Sequence, residues 1–252
     1  MMKEQFSRNL GIMTEEEIKQ LNQSTISIAG CGCIGGFSAE LLVRIGVEKI
    51  KLADPDTFDV SNINRQCAAT YETVGMLKTD ALKYHLFSIN PELEVEVYST
   101  GVNEANVAEF VSGADYVIDA IDYFSFPESV ALHRAARKAE LNVITAVALG
   151  FGTSVLTFRP DGMTLEEYIG IPEDIEIDAL KGMTFPASSY TNYLPAYVTE
   201  EKITEWLENK TIPTISVGQA LGPGALVSQL VLHLLNRKEP IFVPEKYQIQ
   251  FE

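Results

Sequence analysis

The chain has 252 residues, 46% of them hydrophobic and 21% charged, which is enough for a buried α/β core and excludes wholesale disorder. Its 19 Lys and Arg against 35 Asp and Glu leave a formal charge of −16, so most of its surface repels phosphate backbones and nucleic acid is not an expected partner. Three cysteines, Cys31, Cys33 and Cys67, cannot build a disulfide framework and fit a reducing compartment.

Residues 1–24 read as an N-terminal arm followed by a short helix. Thr14 is placed as the cap, and Glu15, Glu16 and Glu17 sit where a helix dipole favours acids. The arm itself, residues 1–13, has few apolar side chains to tie it to its own core and is expected to be mobile unless a partner orders it. It also lacks the apolar segment of a signal peptide. The apolar stretch from 225 to 235 is broken by Ser228, Gln229 and His233 and is too short for a bilayer. A cytoplasmic protein with no membrane partner is the expectation.

Residues 25–160 alternate between two periods. Apolar or β-branched runs at 25–30, 49–54, 94–98, 115–122, 142–148 and 153–158 predict strands, and the segments 35–45, 75–89, 104–111 and 127–140 carry helical spacing. This predicts βαβ units on a mostly parallel, doubly wound α/β sheet of Rossmann type, with ligands at the carboxyl ends of its strands. The pattern breaks after Pro160. Residues 161–180 hold seven acids and no Lys or Arg, which reads as a solvated face or as a docking surface for a basic partner. Residues 161–215 predict a mostly irregular, substrate-covering excursion with short helices near 164–169 and 200–208. A final helix over 218–236 and antiparallel edge strands near 240–243 and 247–251 complete a single domain, 1–252.

Three motifs carry chemistry. Gly30, Gly32, Gly35 and Gly36 lie between a predicted strand and a predicted helix, where glycines permit a tight turn and let backbone N–H groups face a phosphate. Asp54 ends the second strand and suits ribose hydroxyls. Next come Asp54 and Asp56, then Ser61-Asn62-Ile63-Asn64-Arg65-Gln66, then Gly75 and Lys78. Arg65 and Lys78 are either surface cations or the bidentate and point-charge donors a triphosphate needs. Third, Asp122 closes the fourth strand and either caps the next helix or holds Mg²⁺ against phosphate.

Together these motifs resemble the adenylation domain of ubiquitin-activating (E1-like) enzymes, the family of ThiF and MoeB. There a GxGGxG turn is followed in order by DxD, SNLNRQ, a GxxK helix and a TDN-type acid. The resemblance spans roughly residues 5–160. It implies ATP as substrate: Asp54 on the ribose, Asn62, Arg65 and Lys78 on the phosphates with Gln66 beside them, and Asp122 on Mg²⁺. It also implies a homodimer in which Arg8, within Phe6-Ser7-Arg8-Asn9, reaches the γ-phosphate of the partner's ATP. The sequence departs from that pattern in three places. Cys33 breaks the second glycine pair, Tyr123 replaces the Asn after the acid, and no cysteine follows Cys67. The family's paired-cysteine zinc site and its downstream catalytic cysteine are therefore not expected. The scattered His85, His133 and His233 do not substitute for the former. Cys67 reads as a small buried residue, and Cys31 and Cys33 as small residues in a tight turn.

The expected reaction is adenylation of a carboxylate, giving an acyl-AMP and pyrophosphate. The carboxylate is expected at the C-terminus of a ubiquitin-like or sulfur-carrier protein, of a peptide, or on a small metabolite. The alternatives are a non-catalytic partner subunit, a tRNA-modifying cyclase of the same family, which the charge of −16 disfavours, and an NAD(P)-dependent oxidoreductase, which leaves Arg8, Arg65 and Lys78 unexplained.

Overall fold

The computed structural model describes residues 3–183, 185–186, 189–192 and 194–251. A 3₁₀ turn, Glu4–Asn9, leads to helix α1, Glu15–Gln23. Then follow β1 (Thr25–Ala29), α2 (Cys33–Ile45), β2 (Lys49–Ala53), α3 (Lys78–Ile89), β3 (Glu94–Tyr98), α4 (Val107–Val111) and β4 (Tyr116–Asp119). The second half runs α5 (Phe126–Lys138), β5 (Val143–Leu149), β6 (Gly152–Phe158), α6 (Leu165–Ile169), α7 (Glu200–Glu208), α8 (Ser216–Leu234) and β7 (Tyr247–Ile249).

The seven strands form one sheet in the order β3-β2-β1-β4-β5-β6-β7. The first five are parallel, and β6 and β7 join antiparallel, which gives the expected doubly wound sheet with an antiparallel edge. The strand order reverses between β1 and β4, so the loops after these two strands diverge and leave a crevice at their carboxyl ends. Each face of the sheet has its own apolar cluster. One gathers Ile18, Leu21, Ile26, Ile28, Leu42, Leu82 and Leu230 from α1, β1, α2, α3 and α8. The other gathers Phe110, Val117, Val130, Leu156, Leu165 and Leu180 from around α4, α5 and the segment after β6.

The α1 cap forms as expected. Thr14 Oγ1 accepts from the Glu17 N–H at 3.2 Å, and the Glu17 carboxylate accepts from the Thr14 N–H at 2.7 Å. Three expectations need correction. The arm is not free of its own core: Phe6 is 2% exposed and Met13 7%, both inside the first cluster, and Lys3 bridges Glu48 and Glu92 at 2.6 Å each. Two apolar anchors and one doubly paired cation suffice for so short a segment. No strand forms at 240–243, because Pro240 and Pro244 bracket it. It makes a single backbone bond, Val243 N–H to Thr157 O at 3.0 Å. The helix expected from Gly75 starts at Lys78 instead, because residues 75–76 pair back onto Phe58.

Within 161–180, six of the seven acids are exposed, and Glu166 is buried against Arg134 at 2.7 Å. No helix of the described residues is long and apolar enough to cross a membrane.

Candidate functional site

The turn between β1 and α2 is Gly30, Cys31 and Gly32. Gly30 has φ +95°, and a Cβ there would fall on the Ala120 carbonyl oxygen just past β4. A Cβ on Gly35 would fall on the Gly30 carbonyl oxygen. These two glycines let β1, α2 and the end of β4 close on one another. Gly32 caps α2 with no side-chain bond, so the first-turn N–H groups of a 13-residue helix are left without a side-chain acceptor. Free amides at the positive end of a helix dipole make an anion site.

Asp54 holds this turn from below. It is 6% exposed, and its Oδ2 accepts the Cys31 N–H at 2.7 Å while Oδ1 accepts the Asp56 N–H at 2.9 Å. Burial pushes its carboxyl above the usual aspartate value, against the pull of Lys78 and the two N–H donors. Asp56 receives Lys78 twice: the Lys78 N–H donates to its carbonyl at 2.9 Å and Nζ donates to Oδ2 at 2.8 Å. Burial works against the Lys78 charge, yet Asp54 and Asp56 hold the ammonium above its usual value, so Lys78 is a committed cation. It is the first residue of α3, another helix start without a side-chain cap.

Arg65 is half-buried, and its Nη1 donates to Ser61 O at 2.9 Å and Asn64 Oδ1 at 2.8 Å. It also lies against the Cys33 thiol, which burial pushes up and Arg65 pulls back down. Gln66 is buried at the turn, its side chain 3.6 Å from where a Gly32 Cβ would stand, and its Oε1 is without a hydrogen-bond partner among the described residues. Asn62 accepts the Asp59 N–H through Oδ1 at 3.1 Å, and its Nδ2 is without a partner among the described residues. Gly36 faces the Cys67 sulfur, 3.1 Å from where its Cβ would be.

Asp122 is exposed past the end of β4 and caps a 3₁₀ turn, its Oδ1 accepting the Phe124 N–H at 2.9 Å. The capping role weighed from sequence is present, and Oδ2 remains open to a cation. Arg8 is exposed on the arm's 3₁₀ turn, and its side chain has no hydrogen bond or ion pair among the described residues; the next residue, Asn9, donates to Ile45 O at the far end of α2, so within one chain the arm lies at the opposite end of that helix from the glycine turn.

The sequence reading missed three contacts. Asp119, 6% exposed, accepts from the Ile121 N–H at 3.1 Å, from Ser129 Oγ, and faces His133 Nε2 at 3.1 Å. It thereby fixes the segment leading to Asp122. The partners lie ten and fourteen residues on, and no local spacing announces them. Asn64 Nδ2 donates to Thr214 O at 3.1 Å, joining the site to the end of the 161–215 excursion. Glu40 meets His85, at 2.9 Å between Oε2 and Nε2, beside Cys67, whose thiol burial and the Glu40 charge push up to about 12. A cavity of about 320 Å³ between α5 and the segment after β6 holds Arg134 and Arg137, but these are tied to Glu166 and to Gly162 O. The glycine turn, with committed cations beside open amides, is the better candidate for chemistry.

The ThiF family model matches residues 6–239. The chain is 36% identical over 159 residues to a tRNA threonylcarbamoyladenosine dehydratase of Bacillus subtilis, covering 63% of this chain and 62% of that one. It is 29% identical over 162 residues to the SAMP-activating enzyme E1 of Haloferax volcanii, covering 63% and 59%. Over such alignments the chain spans about three-fifths of the length of these relatives. The fold of Escherichia coli MccB, solved with ATP, superposes with a TM-score of 0.74 at 18% identity over 99% of this chain and 68% of that one. The chain belongs to the ThiF family, whose general reaction is ATP-dependent adenylyl transfer.

Proposed function

We propose that this ThiF-family chain adenylates a carboxylate at the glycine turn, using ATP and releasing pyrophosphate. The observation that carries the reading is the convergence of the uncapped α2 start, Lys78 and Arg65 on one crevice of an otherwise acidic protein. An oxidoreductase binding a dinucleotide has no use for both cations, and a non-catalytic partner subunit has no reason to keep them.

The residues divide the work. The α2 amides and the Asn62 and Gln66 side chains donate to phosphate oxygens, while Asp54 keeps the turn in shape and accepts from ribose hydroxyls. Arg65 and Lys78 balance the charge that builds up on the departing pyrophosphate. A substrate carboxylate oxygen attacks the α-phosphorus; the new O–P bond forms as the bond from the α-phosphorus to the bridging oxygen breaks. That electron pair leaves with pyrophosphate, and an acyl-AMP remains. The open Oδ2 of Asp122 suits Mg²⁺, which when bound would supply further charge neutralisation on the phosphates. Catalysis here is positioning and electrostatics, with no covalent role for the protein. No cysteine follows Cys67 within residues 68–252, so the acyl-AMP passes to a nucleophile other than a cysteine of that stretch. Arg8 completes the site of a second protomer in a homodimer; its lack of a partner at home supports this role.

The carboxylate is the C-terminus of a ubiquitin-like protein or a peptide. The SAMP-activating relative and the MccB fold, solved with the peptide MccA, support that class, and so does the charge of −16. The identity to tRNA threonylcarbamoyladenosine dehydratases supports a second reading, in which the carboxylate is carried on tRNA. Exchange of labelled pyrophosphate into ATP separates the two. Exchange that appears with peptide or ubiquitin-like C-termini and not with threonylcarbamoylated tRNA supports the first. The reverse supports the second, and exchange with neither overturns adenylation of both classes.

A further inference from the structure

Glu40 on α2, His85 on α3 and Cys67 in the turn after Gln66 bring a carboxylate oxygen, an imidazole nitrogen and a sulfur within 4.8 Å of one another. We propose that these three residues form a binding site for a zinc-class divalent ion, behind the glycine turn and separate from the magnesium chemistry at the phosphates. The sequence predicts no zinc, and His85 reads there as one of three scattered histidines; this set is assembled from three elements 18 to 45 residues apart.

Donor chemistry, spacing and support all favour such an ion. Imidazole, thiolate and carboxylate are the three ligand types zinc takes from proteins, and a thiolate selects against magnesium and calcium. Around one tetrahedral zinc, with bonds of about 2.0–2.3 Å, neighbouring ligand atoms stand about 3.3–3.6 Å apart. Glu40 Oε2 and His85 Nε2 are 2.9 Å apart and the Cys67 sulfur lies within 4.8 Å of both, so the pair opens by about half an ångström and the sulfur closes by up to about an ångström to seat the ion. All three side chains are half-buried, shielded from bulk water yet open to entry. The other oxygen of Glu40 accepts from Arg44 Nε at 2.8 Å, the kind of outer contact that orients a ligating carboxylate. Three protein ligands leave the fourth position to water. On binding, the Cys67 thiol proton goes to solvent and a sulfur–metal bond forms, with no change of oxidation state. The ion would pin α2, α3 and the Arg65–Gln66 segment at one point.

The test titrates the full chain, stripped with chelator, with Co²⁺. The expected result is one ion per chain and a thiolate-to-cobalt charge-transfer band that Zn²⁺ abolishes. Cys67→Ser should lose the band, and His85→Gln should bind at least tenfold more weakly. Zn²⁺ in hundredfold excess over Kd should raise the Tm of the parent chain by roughly 5–10 °C and leave that of Cys67→Ser unmoved. A band that persists in Cys67→Ser would place the sulfur at Cys31 or Cys33 and overturn the site. So would the absence of both band and Tm shift in the parent chain.

Discussion

Replacing Lys78 by alanine removes one cation from a cluster of two acids, and two separate losses follow. The Lys78 side chain is 12% exposed and bonded to Asp56 at 2.8 Å, so it is already fixed beside the glycine turn, where the proposed adenylation would build up phosphate charge. Losing one such charge-assisted contact costs about 2–4 kcal/mol at the transition state, a fall of roughly 30- to 1000-fold in pyrophosphate exchange. The fold loses less. Asp56 is 62% exposed and rehydrates, but buried Asp54 loses its nearest counter-charge, for a cost of about 1–3 kcal/mol and a Tm lower by roughly 2–10 °C. The pH dependence identifies Asp54 as the source of that loss. Its folded-state carboxyl already titrates above the ordinary 3.8, and without Lys78 it climbs further. A carboxyl raised on folding stabilises below its unfolded value and loses that contribution as pH rises through its folded value. The variant's deficit against the parent is therefore full above Asp54's folded-state value in the variant and shrinks as pH falls through that raised value toward the ordinary aspartate value. Exchange assays and thermal melts across pH read both quantities. Exchange within threefold of the parent, in a variant that melts cooperatively, would refute the role given to Lys78.

Asp122→Asn keeps the oxygen that caps Phe124, so the melt should stay put while the Mg²⁺ concentration for half-maximal exchange rises about tenfold or more; an unchanged Mg²⁺ dependence would leave Asp122 as a cap alone. Gly30→Ala meets both a φ of +95° and the Ala120 carbonyl, so it should cost more than about 2 kcal/mol and lower the yield of folded protein, measured by denaturant titration. Arg134→Ala strands the buried Glu166 carboxylate and should cost about 2 kcal/mol in the same titration, with exchange per folded molecule unchanged. Mixing Arg8→Ala with Lys78→Ala, each inactive alone, should restore part of the exchange activity if Arg8 acts across a dimer; after verified subunit exchange, a mixture still as inactive as its components would remove Arg8 from the site.

The sheet was legible because its strands are short, β-branched runs at regular spacing, and all six predicted between 25 and 158 are present within two or three residues. The short helix expected near 200–208 is also present, and in the structure Thr199 caps it. What failed had little local signal. Phe6 and Met13, with the doubly paired Lys3, turn the arm from solvent to core, and nothing in the arm's average polarity says so. Prolines at 240 and 244 outweighed the apolar residues between them. At the site, the glycines, Asp54, Asp56, Arg65, Gln66 and Lys78 announce themselves by order along the chain, and the structure gathers them around the β1–α2 turn. Asp119 with His133, and Glu40 with Cys67 and His85, are made by the packing of separate strands, helices and turns and cannot be read from spacing.

The segment between β6 and α8 is anchored unevenly. Its first part gives Leu165, Leu180 and Phe185 to the apolar cluster over α5, whereas α7 buries no residue at all. Lengthening a surface loop costs little, since closure entropy grows only with the logarithm of its length. Residues around α7 can therefore drift, lengthen or be exchanged between relatives with small effect on folding, while the glycine turn stays as it is. Because Asn64 grips Thr214 at the far end of that stretch, each such exchange is still delivered beside the candidate site. One scaffold can thus change its clientele without rebuilding its chemistry, and a chimera carrying another relative's 190–213 should fold like the parent and differ in what it accepts.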